Sequence, residues 1–415
     1  MIRRGCVKIG RSLALVLAVG WLGQGISGAA DWPQWRGVKR DGHSAETGLL
    51  KKWPAGGPKL AKKIEGLGGG YSGVAVVGGK IYTMGDIDGA CRVLAVGADG
   101  RKAWATEVGE AGGHQKYPGP RATPTVDGDR LYTLTQFGDL ICLETKTGKL
   151  VWRKNLETDF QGAMMSGWRY SESVLVDGDK VVCTPGGAGG AVVALRKSDG
   201  SEIWRCKEFT DPAGYSSIVI MELGNARQYA QLTGESLAGI EAATGKLLWR
   251  ADRAGKTAVI TTPVFKDNLI FVTSSYNIGC NLFKVSSAGG RFSAEEVYAS
   301  KDMMNHHGGV VLVGNHVYGT GNNELICMEM ATGKVAWKDA SVGKGSIACA
   351  DGMLIVRGER GPVALVRANP SRYEELGRFD QPDRSAEKAW PHPVIADGKL
   401  YLRDQDVLLI YDLKR

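Results

Sequence analysis

The stretch over residues 125–156, TVDGDRLYTLTQFGDLICLETKTGKLVWRKNL, reads as one complete antiparallel unit. Short runs of β-branched and aromatic residues are separated by turns that carry Gly or Asp, around Gly128, Gly138 and Gly148. Turns of this kind between alternating runs are typical of β-hairpins, so the stretch predicts a four-stranded meander. One small sheet cannot cover both of its own faces, so we expect the rest of the chain to contain copies of it.

The closing phrase of that stretch, TGK, then two residues, then Trp, recurs along the chain. It returns as AATGKLLWR over 242–250 and ATGKVAWK over 331–338, and in looser form as ADGRKAW over 98–104 and SDGSEIW over 198–204. The tryptophans stand at 104, 152, 204, 249 and 337, and the last gap of 88 residues is two steps long. We therefore expect one copy without Trp inside that gap. A period of about 40–50 residues with four strands per copy predicts propeller blades.

Eight copies can be counted. Seven cover residues 72–108, 123–156, 173–209, 217–252, 262–298, 309–340 and 347–379, and the last, 394–414, lacks its closing strand. Residues 60–65, LAKKIE, form a short alternating run with no copy in front of it, so we expect this run to supply the missing strand and close the ring. The predicted fold is all-β, an eight-bladed β-propeller of four-stranded antiparallel blades closed by an N-terminal strand, with seven blades as the fallback.

Residues 1–30 are predicted to be a signal peptide. Small residues at 28–30 follow an apolar run over 13–22, which is preceded by the cations Arg3, Arg4, Lys8 and Arg11. A membrane anchor would need about 20 apolar residues, more than this run offers. The mature chain is therefore expected to be exported, periplasmic or secreted, without a stable membrane span. Residues 31–59 are predicted to be an irregular strap over the ring, and 60–415 a single propeller domain.

Charge and cysteines exclude several classes of function. Without the four leader cations the formal charge falls from +8 to +4, which is too mild a bias to predict a nucleic-acid partner. The seven later cysteines are scattered, with no CxxC spacing and no adjacent pair. Most are expected to be small buried hydrophobic residues, and the odd number leaves at least one without a disulfide partner. We expect a monomer.

The phrases LICLETKTGKLVW, LAGIEAATGKLLW and LICMEMATGKVAW resemble the repeat of the PQQ-like β-propeller family, over essentially all of residues 60–415. That family includes quinoprotein alcohol dehydrogenases and the non-catalytic propeller that helps to insert outer-membrane barrels. The resemblance implies that each repeat Trp packs between neighbouring blades. The residues for which it implies a structural role are Trp104, Trp152, Trp204, Trp249 and Trp337.

The variable chemistry falls in the connections just before the first strand of each copy. Because the first strand of a blade is the innermost, all eight connections are expected to converge on one mouth of the central channel, and loops on a rigid scaffold commonly carry function. The candidate ligand-binding residues there are Tyr71, Arg121, Arg169, Tyr170, Glu172, Tyr215, His306, His307, Lys344, Trp390 and His392.

Each group of candidates has two interpretations. The arginines and Lys344 could clamp an anionic ligand, or pair with Glu172 and loop carbonyls. The tyrosines and Trp390 could form a stacking platform for a flat ring or a sugar, or simply plug the channel. His306 and His307 could ligate a metal together with His392, but adjacent residues in a strand point to opposite faces, so no metal site is predicted.

Two classes of function remain. The first is an exported scaffold that binds a small molecule, a glycan or an envelope protein over its mouth. The second is a PQQ-dependent alcohol-type dehydrogenase, which needs a quinone, Ca²⁺ held by a carboxylate and an amide, and a base. The enzymes of the family often stack the quinone on adjacent cysteines, and this chain has no such pair. The sequence therefore leaves the cofactor and any catalytic residue unassigned and favours binding.

Overall fold

The computed structural model describes Met1 and residues 30–414, which form strands, turns and loops without a helix. The predicted signal peptide lies almost entirely outside the described residues. The chain is an eight-bladed propeller of four-stranded antiparallel blades, as predicted. No described residue belongs to a helix long and apolar enough to cross a membrane.

Each of the first four blades runs in sequence order from the channel outward. Their strands are Ala75–Val77, Lys80–Ile87, Ala90–Gly97 and Lys102–Glu110 in blade 1; Thr125–Asp127, Arg130–Leu134, Asp139–Glu144 and Leu150–Asn155 in blade 2; Leu175–Asp177, Lys180–Cys183, Val193–Arg196 and Glu202–Arg205 in blade 3; and Val219–Leu223, Ala226–Leu232, Ser236–Glu241 and Leu247–Asp252 in blade 4.

The next three blades repeat this order, and the eighth joins the two ends of the fold. The strands are Val264–Lys266, Leu269–Ser274, Gly279–Ala288 and Arg291–Ser300 in blade 5; Val310–Val313, His316–Thr320, Leu325–Glu329 and Val335–Asp339 in blade 6; Gly345–Ala350, Met353–Gly358, Pro362–Arg367 and Glu375–Asp380 in blade 7; and Val394–Ala396, Lys399–Asp404, Val407–Asp412 and Leu60–Ile64 in blade 8. Short strands at Gly113–His114 and Tyr117–Pro118 form a separate hairpin.

The closing strand predicted from LAKKIE is present. Leu60–Ile64 pairs antiparallel with Val407–Asp412 and completes blade 8 as its outermost strand, which joins the two ends of the ring. Its one inward residue, Ile64, is buried with the strands of blade 8, while the two lysines beside it face outward.

The repeat tryptophans connect one blade to the next. Trp104, Trp152, Trp204 and Trp337 each donate their indole N–H to a backbone carbonyl in the following blade, at 2.8–3.2 Å. Blade 5 lacks a Trp, as expected, and Tyr298 takes its register position and donates to the carbonyl of Met330 at 2.8 Å. Trp249 instead donates to Gln228 of its own blade at 2.7 Å, because blade 5 has no TGK turn to receive it.

Blade 7 has a glycine where the other blades carry this aromatic residue. Gly377 stands opposite Leu365, the register position of Trp337 in blade 6. A Cβ on Gly377 would lie 2.5 Å from the Cβ of Trp53, which belongs to the N-terminal segment and packs against Phe379. The N-terminal segment therefore supplies the indole that blade 7 lacks.

The segment over residues 31–50 lies inside the channel and touches every blade. Trp32 forms a two-hydrogen-bond bridge with Val76 of blade 1, and Pro33 accepts from the backbone N–H of Val126 in blade 2. His43–Ser44 forms a parallel strand with Cys349–Ala350 of blade 7. The hydrogen bonds that reach the remaining blades are made by Arg40 to blades 3 and 4, Trp35 to blade 5, Arg36 to blade 6 and Glu46 to blade 8.

The strap enters from the end of the channel opposite the predicted mouth. Asp31 accepts from the N–H of Gly78 at 2.9 Å, and Asp351 accepts from the N–H of Leu49 at 3.1 Å. Gly78 and Asp351 lie in turns between the first and second strands of their blades, whereas the mouth connections precede the first strands. Residues 31–50 therefore plug the channel from below, and the mouth above them stays open.

Candidate functional site

A cavity of about 740 Å³ occupies the mouth of the channel. Its wall takes residues from the connections in front of all eight blades, from Tyr71 before blade 1 to Trp390 before blade 8. The half-buried Trp35 of the strap reaches it from below and donates its indole N–H to the hydroxyl of Thr262 at 2.9 Å. The eight connections therefore converge as expected and surround one cavity, which is open at the mouth and has the strap as its floor.

Aromatic rings form a continuous band along one side of the cavity. The ring of Trp390 lies 4.5 Å from that of Tyr71 and 4.7 Å from that of Tyr117. Tyr117 in turn lies 5.9 Å from Trp168, whose other neighbour is the stacked ring of His114 at 3.9 Å. Tilted and stacked contacts of this length are favourable, so the band is a rigid surface.

The charged side chains of the cavity are mostly cationic. Glu359 is the one carboxylate among the described lining residues, and the cations around the wall are Lys116, Arg121, Lys344, Arg360 and Lys388. Glu359 accepts from the indole N–H of Trp390 at 2.9 Å and lies 3.7 Å from the ammonium of Lys344. Burial lowers the pKa of Lys344, and Glu359 opposes that effect. The cavity therefore offers a positive potential to a ligand.

Arg121 is the most deeply placed of these cations. Its guanidinium donates to the carbonyl of Trp168 at 2.9 Å and of Tyr117 at 2.5 Å, and it lies 6.0 Å from the ring centre of Tyr71. Burial lowers its pKa, although an arginine stays protonated at neutral pH. Within the described part of the chain no carboxylate forms an ion pair with it, and Asp86 acts on its charge only from a longer distance.

His306 and His307 both line the cavity, although the sequence argument placed adjacent histidines on opposite faces. The reason is that they lie in a loop rather than in a strand, with their rings 5.5 Å apart. Burial lowers the pKa of His306 to about 4 and, together with His306 itself, places that of His307 well below its ordinary value. Both imidazoles are therefore neutral at pH 7.

Seven of the candidate residues lie in the cavity wall, and these are Tyr71, Arg121, Tyr215, His306, His307, Lys344 and Trp390. The other four do not line it. Tyr170 is buried and donates to the carbonyl of Pro185, and Arg169 stands over the ring of Phe137 near Glu157. His392 is buried beneath the wall, where its Nε2 lies 2.8 Å from the carbonyl oxygen of His307.

Glu172, the fourth of these, is a buried carboxylate that accepts hydrogen bonds from Thr184. It accepts from the N–H of Thr184 at 2.8 Å and from its hydroxyl at 3.2 Å. Burial raises the pKa of Glu172 to about 7, while the bonds from Thr184 and the charge of Arg40 lower it. The interpretation in which the mouth cations pair with Glu172 and loop carbonyls is therefore confirmed only for the carbonyls, to which Arg121 donates. Glu172 pairs with neither arginine, and Arg169 lies beside Glu157 instead.

Several residues that line the cavity were not predicted from the sequence. Tyr276, Asn322 and Glu359 come from the turns between the second and third strands of blades 5, 6 and 7, and Trp35 comes from the strap. In an antiparallel blade, the turn from strand two to strand three lies at the same end as the start of strand one. That geometry could have predicted Tyr276, Asn322 and Glu359 as residues of the mouth.

The donor set does not fit a calcium–quinone site. Among the described residues there is no group of three or more His, Cys, Asp or Glu placed to hold a metal ion. The one lining carboxylate, Glu359, is already bonded to Trp390 and flanked by Lys344 and Lys388. A Ca²⁺ ion needs several oxygen ligands free of competing cations. The seven described cysteines are all buried and unpaired, and none adjoins another.

Fold and site together define an eight-bladed β-propeller with a loop-lined, cationic mouth cavity. The profile of the family described as "Outer membrane protein assembly factor BamB" matches residues 89–339 and 285–412. Because these segments cover most of the chain, the chain belongs to that family.

Two curated relatives carry the same description. The protein from Xanthomonas campestris is 32% identical over 112 residues, 26% of this chain and 25% of the relative, and that from Nitrosomonas eutropha is 23% identical over 222 residues, 44% of this chain and 54% of the relative. The chain thus spans a quarter and about half of the length of these relatives.

Solved structures of low identity share the fold. BamB from Moraxella catarrhalis superposes with a TM-score of 0.61 at 14% identity, over 86% of this chain and 99% of that one. The quinohemoprotein alcohol dehydrogenase from Comamonas testosteroni gives 0.62 at 12% identity, over 92% and 80%. At such identities the likeness extends to the propeller fold alone and assigns no role to the residues of the cavity.

Proposed function

We propose that this chain is an exported, partner-binding propeller that takes part in the assembly of outer-membrane proteins. The observation that carries the proposal is membership, over residues 89–412, of a family described as an outer-membrane protein assembly factor. The predicted signal peptide over residues 1–30 supports export, because its cationic, apolar and small-residue regions follow in the order that a secretory leader requires. The domain division proposed with it is 31–59 for the strap and 60–415 for the propeller.

The mouth is proposed as the face that engages an envelope-protein partner. Half-exposed aromatic residues and cations are concentrated there, and Tyr, Trp and Arg are the residues that dominate binding energy at protein interfaces. The opposite end of the channel offers no comparable opening, since residues 31–50 fill it. A scaffold with one blocked end and one aromatic, cationic mouth supports binding through the mouth.

The test is genetic complementation in a bacterium that carries the gene. Deletion is expected to lower the amount of folded outer-membrane β-barrel protein, and the wild-type gene to restore it. A double variant, Tyr117→Ala with Lys388→Ala, changes two half-exposed mouth residues and is expected to restore several-fold less, because contacts at the centre of an interface carry most of its energy.

The matched control changes exposed apolar residues on the outer strands, with Leu150→Ser and Val297→Ser, and is expected to restore barrel protein fully. Unchanged barrel levels in the deletion strain would overturn the proposal. Full restoration by the mouth variant would overturn the assignment of the mouth while leaving the role in assembly standing.

A further inference from the structure

One buried side chain in the cavity wall lacks partners. His307 is only 7% exposed, and neither ring nitrogen has a hydrogen-bond partner in the described part of the chain. Its Nε2 lies 3.8 Å from Oε1 of Glu359, which is too long for a hydrogen bond. A buried polar group left without a partner costs about 1–3 kcal/mol, so this arrangement points to a bound molecule that completes it.

The missing partner can be specified chemically. A neutral imidazole presents one donor and one acceptor, and Glu359 beside it presents only acceptors. A group that both donates and accepts satisfies such a pair, because it can receive the imidazole N–H and give its own hydrogen to the carboxylate. Aliphatic hydroxyls do this, whereas a carboxylate or a phosphate at this position would be repelled by the negative charge of Glu359.

The anionic part of the ligand belongs at Arg121. This guanidinium is largely buried in the wall, bonds only to the carbonyls of Trp168 and Tyr117, and has no carboxylate partner among the described residues. The fixed fork of an arginine matches a carboxylate or a phosphate group. Arg360 and Lys116, at the exposed rim, add positive charge on the path to it.

The aromatic band connects these two ends. The ring of Trp390 lies 5.9 Å from that of His307 and 4.5 Å from that of Tyr71, and Arg121 lies 6.0 Å from the centre of Tyr71. A saturated sugar ring lies well against such surfaces, because its axial hydrogens form an apolar face. The amide of Asn323 and the hydroxyl of Ser171 also line the cavity and add groups that hydrogen-bond to hydroxyls.

We propose that the mouth cavity binds an acidic sugar, with its hydroxyls at His307 and Glu359, its ring on the Trp390 band and its carboxylate or phosphate at Arg121. A cavity of about 740 Å³ lies within the usual range for small-molecule sites, which is roughly 300–1,000 Å³. The sugar site lies in the same mouth that is proposed to engage the envelope-protein partner, but the two proposals can fail independently, because binding of a small sugar is measured on the purified chain alone.

The experiment is calorimetric titration of the purified mature chain at low salt with four probes. Digalacturonate and glucose 1-phosphate carry hydroxyls and either a carboxylate or a phosphate, lactose carries hydroxyls without charge, and phthalate carries charge on a flat ring without hydroxyls. At least one acidic sugar is expected to bind at least tenfold more tightly than both lactose and phthalate. The stronger of the two identifies the carboxylate or the phosphate as the anion.

Variants separate the site from the fold. Arg121→Gln is expected to weaken binding of the acidic sugar at least tenfold, and Arg169→Gln is the matched control, since it lies in a mouth connection outside the cavity wall. Because Arg121 also bonds to two loop carbonyls, Arg360→Gln at the exposed rim serves as a second variant, with an expected loss of about threefold that disappears at high salt.

Three results would overturn the proposal. The first is that neither acidic sugar binds. The second is that phthalate or lactose binds as tightly as the acidic sugars. The third is that Arg169→Gln weakens binding as much as Arg121→Gln does.

Discussion

The plug of the central channel, residues 31–50, and the exposed rim of its mouth use arginine in opposite ways. In the plug, Arg40 is buried and each of its nitrogens donates, to the carbonyls of Ser173, Val174 and Ile218 and to Gln34. At the mouth, Arg360 is exposed and forms no ion pair or hydrogen bond within the described residues. The first arrangement holds the fold together, and the second leaves charge free for a ligand. The same type of residue therefore stabilises the fold in the plug and is free to meet a ligand at the rim of the mouth.

The difference arises from what the carbonyl groups face. Carbonyls beside the first strands, such as those of Ser173 and Ile218, face the channel and accept from the guanidinium of Arg40. The strap satisfies others with backbone N–H groups, as Trp32 does for Val76. At the exposed rim of the mouth, Arg360 has no such carbonyl to bond to within the described residues, so its side chain stays free.

The largest effect is expected in the plug. Arg40→Met removes a buried guanidinium and leaves the carbonyls of Ser173 and Ile218 without donors, while that of Val174 keeps only the hydroxyl of Thr125, so the free energy of unfolding should fall by about 3–4 kcal/mol. Denaturant unfolding at pH 7.5 measures it. Arg169→Met, which removes a half-exposed side chain, is the control with an expected change of about 0.5 kcal/mol or less. Equal losses in both variants would contradict the contrast between structural and free arginines.

The next effect is expected from acid at the mouth, where the loss of stability is spread over more than two pH units. The unfolded His306 has a pKa of 6.5, and burial, with a further contribution from Lys344 against Glu359, lowers the folded value to about 4. The stability contributed by the neutral ring is thus present above pH 6.5 and is lost as the pH falls towards 4, by about 1.4 kcal/mol per pH unit.

His306→Gln can keep the bond to the hydroxyl of Tyr276, which lies 2.9 Å from Nε2, and removes that titration. Unfolding free energies measured from pH 7.5 to 4 should fall less steeply in the variant, with a constant difference from wild type above pH 7. Parallel curves down to pH 4 would show that His306 does not titrate as the cavity geometry implies.

The smallest effect is expected from the mouth cations. Arg360→Gln should change the free energy of unfolding by no more than about 0.5 kcal/mol, because exposed side chains without partners contribute little to folding. The same denaturant experiment measures it beside Arg40→Met. A loss above about 1 kcal/mol would mean that the mouth charges hold the loops in place. The distinction between structural arginines in the plug and free arginines at the rim of the mouth would then fail.

The ring could be derived from the sequence because its signals are local and repeated. Turn residues and alternating runs act within a few positions, and the orphan run LAKKIE had one vacant edge to fill. The role of Trp53 could not be derived in this way. Its place is defined by the absence of a side chain at Gly377, more than 300 residues later, and nothing near Trp53 encodes that contact.

The candidate site was predictable in position but not in full membership. Strand order placed the mouth connections correctly around one cavity, yet neighbours within a connection separate, as Tyr170 packs into the ring while Trp168 faces the cavity. Those directions depend on backbone dihedrals, such as the positive φ of Arg169, that composition does not reveal. Trp35 entered the site only because the strap runs through the channel.

The joining of Leu60–Ile64 to Val407–Asp412 also sets the order of events during folding. The partners lie more than 340 residues apart, so a strand made early has to wait until residues 407–412 have left the ribosome. Contacts of such long range form slowly, and an unclosed ring exposes unpaired strand edges that favour aggregation. A chain interrupted anywhere before Val407 would lack the strand with which Leu60–Ile64 pairs. Ring closure therefore requires that all eight blades have been synthesised.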